Sequence, residues 1–294
     1  MGTPTPVFKI NRNMVLKIKK GTKQIDPHQY EGRVDIEELI IADTVEVIGE
    51  AAFYGCSNLK KITWGKRVHT IGRDAFYKCV SLELLHPPRS VKLVEVCAFA
   101  LCSGLTYVEF EDNDDIVIEN NVFTNCTGLT CAILPEGLKT IYEETFSGCT
   151  KLEDVFIPST VTGIGIMAFC GIGAKEIELP NSIEVIEMFA FYNSKLTSVS
   201  IPNSVSTIGD SAFGHCHNLE RVEVGDSVVC IGKKAFENCT MLGEVTFRSA
   251  IIGSIGDYIF KKCKKLKRIN VPAGAMNAYK RMLLMYLHKK LVGF

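Results

Sequence analysis

Ile48 to Trp64 reads IGEAAFYGCSNLKKITW, and the chain writes this phrase repeatedly. Aligned on the phenylalanine, the copies fall at Phe53, Phe76, Phe99, Phe123, Phe146, Phe169, Phe191, Phe213, Phe236 and Phe260, spaced 22 to 24 residues apart. A fixed period of that size marks a solenoid. Five residues before every Phe stands an aliphatic, as at Ile48, Ile71 and Val94, and three residues earlier there is usually another, as at Val45, Val68 and Val91. Cys follows the Phe by three in eight copies, and then comes an apolar run such as Leu59-x-x-Ile62-x-Trp64 or Leu152-x-x-Val155-x-Ile157. The last two apolar positions alternate with a polar one, the period of a strand with one buried face. Pro158, Pro180, Pro202 and Pro272 close such runs, because proline cannot donate to a ladder.

One unit of this kind cannot bury its own apolar side, but stacked units place Phe on Phe and Ile on Ile in a continuous core. The expected fold is α/β: a curved parallel sheet on the concave side, short helical turns on the convex side, and ~50 Å of stack at roughly 4.8 Å per coil. The pattern divides the chain into a lead-in and degenerate first repeat (1–41), an array of about ten repeats (42–272) and a closing helix (273–294). The helix is expected because Met276, Tyr279, Leu283, Tyr286, Leu287 and Leu291 recur at helical spacing. Residues 1–14 read as a loose lead-in. The array falters at 169–196, where Cys170 leaves its column and Gly171-Ile172-Gly173 intervenes. A local change of curvature is expected there.

Charge narrows the function classes. The chain carries 33 basic and 33 acidic residues, yet no acid precedes Asp26 or follows Asp257. Sixteen bases therefore sit at the two ends and leave 17 against 33 acids between them. Basic ends repel one another and oppose end-to-end stacking through open sheet edges, so a monomer is expected. The acidic middle argues against nucleic acid. No apolar run approaches the ~18 residues of a membrane span, and the first 24 residues have lysines without the apolar core of a secretory leader.

The twelve cysteines contain no C-x-x-C pair, so a zinc site is not expected. The eight that recur beside the Phe should form an inward column of small hydrophobes. His215-Cys216-His217 has its middle residue in that column, which argues against a metal site. The run Glu111-Asp112-Asn113-Asp114-Asp115 lacks the glycine and distal glutamate of a calcium loop and reads as a solvated turn. No nucleophile elbow, phosphate loop or HExxH occurs, and six scattered histidines form no set. No enzyme activity and no cofactor is expected.

Residues outward from the strands are the candidate binding surface. The middle coils place Leu84, His86, Tyr107, Glu109, Cys131, Ile133, Asp154, Phe156, Glu176 and Glu178 there. Contiguous apolar side chains beside acids on a wet face point to a protein partner with basic patches.

The pattern L-x-x-I-x-I-P-x-x-V-x-x-I-G-x-x-A-F-x-x-C resembles the BspA-like (Treponema pallidum type) leucine-rich repeats over residues 15–272. It departs from the general leucine-rich motif, since its Cys lies ahead of the Leu. The resemblance implies a curved solenoid, protein binding or adhesion to host molecules, and a cell-surface or secreted location, with a cytoplasmic one as the alternative. A structural spacer or stalk is the competing role.

Overall fold

A computed structural model describes residues 14–294, and the backbone alone at Tyr286. The lead-in expected for residues 1–14 lies almost wholly outside the described residues. The chain winds into a parallel β-solenoid of about twelve turns with few helices. Most turns give one strand, usually of three to five residues, from the L-x-x-I-x-I run and a two-residue strand from the V-x-x-I run.

The longer strands are β1 (Met14–Lys17), β2 (Ile36–Ile40), β3 (Lys61–Thr63), β4 (Leu84–Leu85), β5 (Tyr107–Glu109), β6 (Cys131–Ile133), β7 (Asp154–Phe156), β8 (Ser198–Ile201), β9 (Arg221–Val224), β10 (Glu244–Phe247), β11 (Arg268–Val271) and β12 (Leu291–Gly293). They form three parallel sheets, β1–β3, β4–β7 and β8–β12. The two-residue strands form a second, narrow ladder in two pieces, Ile25 through Ile118 and Ile141 through Ile255. The two ladders break at different coils. Where the wide sheet stops after β7, the narrow ladder continues through Ile141, Ile164, Ile186 and Ile208.

Inside, every phenylalanine of the repeat is buried, and successive rings lie nearly parallel with centroids 5.1 to 5.9 Å apart from Phe53 to Phe260. Tyr30 continues the column at 5.2 Å from Phe53. Such pairs contribute about 0.5–1.5 kcal/mol each beyond the burial of their area. The column cysteines are free thiols and do more than fill space. Each of the eight donates its Sγ–H to the carbonyl of the aromatic residue one coil back, from Cys56 on Tyr30 to Cys263 on Phe236, at 3.0 to 3.3 Å.

The helical turns expected before and around each Phe are absent from the described repeats. In every coil the residues two before and two after the aromatic have positive φ, as at Ala51 (50°) and Gly55 (67°), or Asp74 (54°) and Lys78 (58°). The left-handed residues turn alternate peptides along the stack. Ala51, Phe53 and Gly55 donate to Arg73, Ala75 and Tyr77 of the next coil, while Ala52, Tyr54 and Cys56 donate back within their own. An α-helix would keep all of these bonds inside one coil. Sharing half of them with a neighbour ties the coils together, and that arrangement prevails.

Two further expectations are corrected. The solvated acidic turn holds one buried residue, Asn113, whose amide donates to the Arg89 and Val91 carbonyls of the preceding coil at 2.9 and 2.6 Å. The closing helix is only α1 (Met276–Met282); it ends at Leu283, where the backbone becomes extended (φ −84, ψ 145). A 3-10 turn over Met285–Lys290 follows, and β12 then pairs in parallel with β11. Leu291, expected on the helix, lies in that strand because the open edge of β11 offers backbone partners a longer helix would forgo. Tyr279 is buried against Phe247, and its hydroxyl donates to the Ser249 carbonyl at 3.0 Å.

Candidate interaction surface

In β4–β7 the middle position of each strand points to the core, at Leu85, Val108, Ala132 and Val155, and the flanking positions point out. Parallel in-register pairing converts those positions into rows. Leu84, Tyr107, Cys131 and Asp154 stand side by side in one row, and Glu109, Ile133 and Phe156 in the next. His86 lies just past β4 and joins the second row, its Nδ1 3.4 Å from Glu109 Oε2. Tyr107 donates its hydroxyl to the same carboxylate oxygen at 3.1 Å, and the His86 and Tyr107 rings lie 5.4 Å apart. Glu109 thus holds both rings at one corner of the face.

Among the described residues nothing covers the apolar members. Phe156 is 59% exposed and Leu84 51%; Ile133, Cys131 and Tyr107 are half-buried by their neighbours in the rows. Loss of hydration raises the Tyr107 phenol above its ordinary range, helped by the bond to Glu109. The Cys131 thiol is pushed up for the same first reason, with the charges of Asp154 and Glu109 adding to it. Both groups therefore stay neutral beside the apolar surface.

Glu176 and Glu178 do not join these rows. They were expected on a strand next to β7, but residues 171–180 form no strand, and β7 is the last strand of its sheet. The coil is one residue short, from Phe169 to Phe191, and Ala174 stands where its neighbours have Leu152 and Leu196. The next coil, from Phe191 to Phe213, is equally short yet forms β8, so the smaller anchor is what sets this segment apart, and it does not reach the register of either side. Both glutamates remain exposed beside Asp154 and Phe156 around a hollow of about 580 Å³.

Two more hollows open on the same face of the stack. One of about 340 Å³ lies between β3 and β4, lined by Lys60, Lys61, Glu83 and Leu84, and one of about 670 Å³ lies over β9–β11. The first marks the other break in the wide sheet, where Pro87 and Pro88 shorten β4 to two residues. Sequence reasoning named the outward residues and the faltering at 169–196, though as a change of curvature, and did not name the break before β4; consecutive prolines were the available signal.

No group of three or more His, Cys, Asp or Glu among the described residues is placed to hold a metal ion. Cys216 is buried in its column, and His215 packs instead on Tyr192 at 4.9 Å. Among the described residues no helix is long and apolar enough to cross a membrane.

The family model for the BspA type leucine rich repeat region, in six copies, matches residues 23–149, 116–194 and 184–284. No curated protein matches the sequence. Among solved structures, a leucine-rich repeat protein from Bacteroides ovatus superposes with a TM-score of 0.57 at 24% identity, over 96% of this chain and 92% of that one. The pneumococcal vaccine antigen PcpA gives 0.52 at 18% identity, over 95% and 77%. A Treponema pallidum leucine rich repeat protein gives 0.49 at 26% identity, over 53% and 75%. The likeness to the first two is one of fold.

Proposed function

This chain belongs to the BspA type leucine rich repeat family, and on that premise we propose that it is a non-enzymatic module that binds a protein through the outward face of β4–β7. Repeat proteins of this kind are generally protein-interaction modules, and their sites are carried by side chains the fold leaves free. The observation that carries the reading is the uncovered apolar pair of rows, Leu84–Tyr107–Cys131 and Ile133–Phe156, bordered by Glu109 and Asp154. Aromatic anchors within a polar rim are the composition of binding hot spots. The carboxylates select a partner with basic patches; a host-derived protein is what the family resemblance implies.

The same face is proposed to be the concave one. Three hollows open on it, and the Phe rings lie 5.1 to 5.9 Å apart where paired strands lie roughly 4.8 Å apart. A stack wider at its rings than at its strands closes toward the strands.

The test is capture of a partner from host and self extracts by wild type and by the Tyr107→Ala, Phe156→Ala double variant. Capture by wild type and its loss in the double variant is expected. Equal capture by both would overturn the face as the site, and capture by neither would favour a structural spacer.

A further inference from the structure

The interruption between β7 and β8 is a place where backbone, apolar floor and charge coincide. The narrow ladder passes through the same coils without a break, so the stack is continuous and the opening is confined to the outward face. Among the described residues, Glu176 to Leu179 form no backbone hydrogen bond with either neighbouring coil; the rungs nearby are Lys195 N–H to the Ile172 carbonyl at 3.1 Å and Thr197 N–H to the Lys175 carbonyl at 2.8 Å, both ahead of Glu176. β7 and β8 are each the terminal strand of a sheet. Strand polar groups without partners on an outward face form an acceptor for an added strand.

The floor of the hollow is apolar, with Val155, Ile177 and Leu179 below and Phe156 at one corner. Its rim carries Glu153, Asp154, Glu176 and Glu178, all exposed. None of the four forms an ion pair among the described residues. Lys175 and Lys151 are the nearest bases in sequence, leaving a surplus of negative charge.

We infer that this slot takes an extended, basic segment of the partner, whose main chain bonds to the unpaired backbone edges and whose Lys or Arg side chains meet the four carboxylates. An alternating sequence fits best. Its apolar side chains would face Val155 and Ile177 on the floor while the charged ones reach the rim, since neighbouring residues of an extended chain point to opposite faces. The inference rests on the protein-binding reading and supplies the partner's chemistry.

The test uses three fluorescein-labelled octapeptides: alternating lysine and valine, alternating glutamate and valine, and the lysine peptide N-methylated on alternate amides. Anisotropy titrations are run on wild type, on Glu176→Gln with Glu178→Gln, and on Glu223→Gln with Glu244→Gln over β9 and β10. Wild type is expected to bind the lysine peptide, and the glutamate peptide at least tenfold more weakly. The first variant should lose tenfold or more while the second changes less than twofold. N-methylation should also cost tenfold, which non-specific charge attraction would not. No binding of the lysine peptide by wild type, equal loss in both variants, or indifference to N-methylation would each overturn the slot. Partner capture that disappears with Tyr107→Ala and Phe156→Ala but survives Glu176→Gln with Glu178→Gln would sink the slot and leave the proposed function standing.

Discussion

The outward faces on either side of Glu176–Leu179 were built by the same repeat and came out differently. Over β4–β7 the outward apolar positions are Leu84, Tyr107, Ile133 and Phe156, of which Leu84 and Phe156 are exposed and Tyr107 and Ile133 half-buried. Over β8–β11 the outward positions are Ser198, Ser200, Arg221, Glu223, Thr246 and Asn270. Some of these bond to each other or to adjacent side chains: Asn270 donates to Thr246 at 3.0 Å and to Glu244 at 2.8 Å, and Glu223 pairs with Arg248 at 3.0 Å. Beneath both faces the inward residues are equivalent, Val108 and Ala132 in one and Val222 and Val245 in the other, all buried. The core is common to both halves and constrains only inward positions. The outward positions are free to diverge, and their divergence locates the proposed site.

The largest expected effect tests the equivalence of the two cores. Phe146→Ala under the apolar half and Phe236→Ala under the polar half should each cost about 3–5 kcal/mol by urea denaturation, because each removes a buried ring between two others. A cost under about 1 kcal/mol at either site would mean the halves do not share one core.

The thiol column should respond to pH alike in both halves. Burial pushes Cys126 up to about 12 and Cys216 up to about 11, from an ordinary 9.0. The folded state holds these protons while the unfolded chain releases them, so their contribution is complete below about pH 9 and is lost as pH rises through 11 and 12. For Cys216 the loss amounts to about 3 kcal/mol. Cys126→Ala and Cys216→Ala should each flatten the fall in stability between pH 9 and 12. A profile unchanged by both substitutions would remove the thiols as its cause.

These columns were legible in the sequence because a residue buried between identical neighbours has few alternatives, so Phe, Ile and Cys recur at fixed offsets. The turn conformation was not. Left-handed φ falls on residues as varied as Lys78, Leu101, Glu144 and Phe189, and no composition announces it; the backbone bonds of the next coil impose it. The run Lys175 to Leu179 likewise alternates as a strand would. Its failure to pair depends on residues 22 or more away, which local periodicity does not register, although Ala174 hinted at it. Of the candidate site, the outward rows were read from alternation alone. The corner where Glu109 joins His86 to Tyr107 required two coils in register.

A smaller effect checks the turns in the two halves. Lys78 and Lys262 sit at φ of 58° and 64°, where a side chain costs about 1–2 kcal/mol relative to glycine's indifference. Glycine's greater freedom when unfolded returns about 0.5–1 kcal/mol of that. Lys78→Gly and Lys262→Gly should therefore each raise stability by about 0.5 kcal/mol in thermal denaturation. A loss at one site alone would mean that its lysine makes a contact the other lacks.

The smallest effect on stability bears most directly on the contrast between the faces. Leu84→Ser with Phe156→Ser would make the apolar face resemble the polar one. If those side chains serve a partner, the fold should not need them, and stability should change by no more than about 0.5 kcal/mol, as for other surface substitutions. Their exposure points this way, since each residue is more than half exposed and less burial would be lost than at a core position. A cost above about 2 kcal/mol would mean that the rows brace β4–β7 against one another through cross-strand packing. The apolar face would then be a structural repair of a sheet broken at both ends, and the proposed site would have to be sought elsewhere.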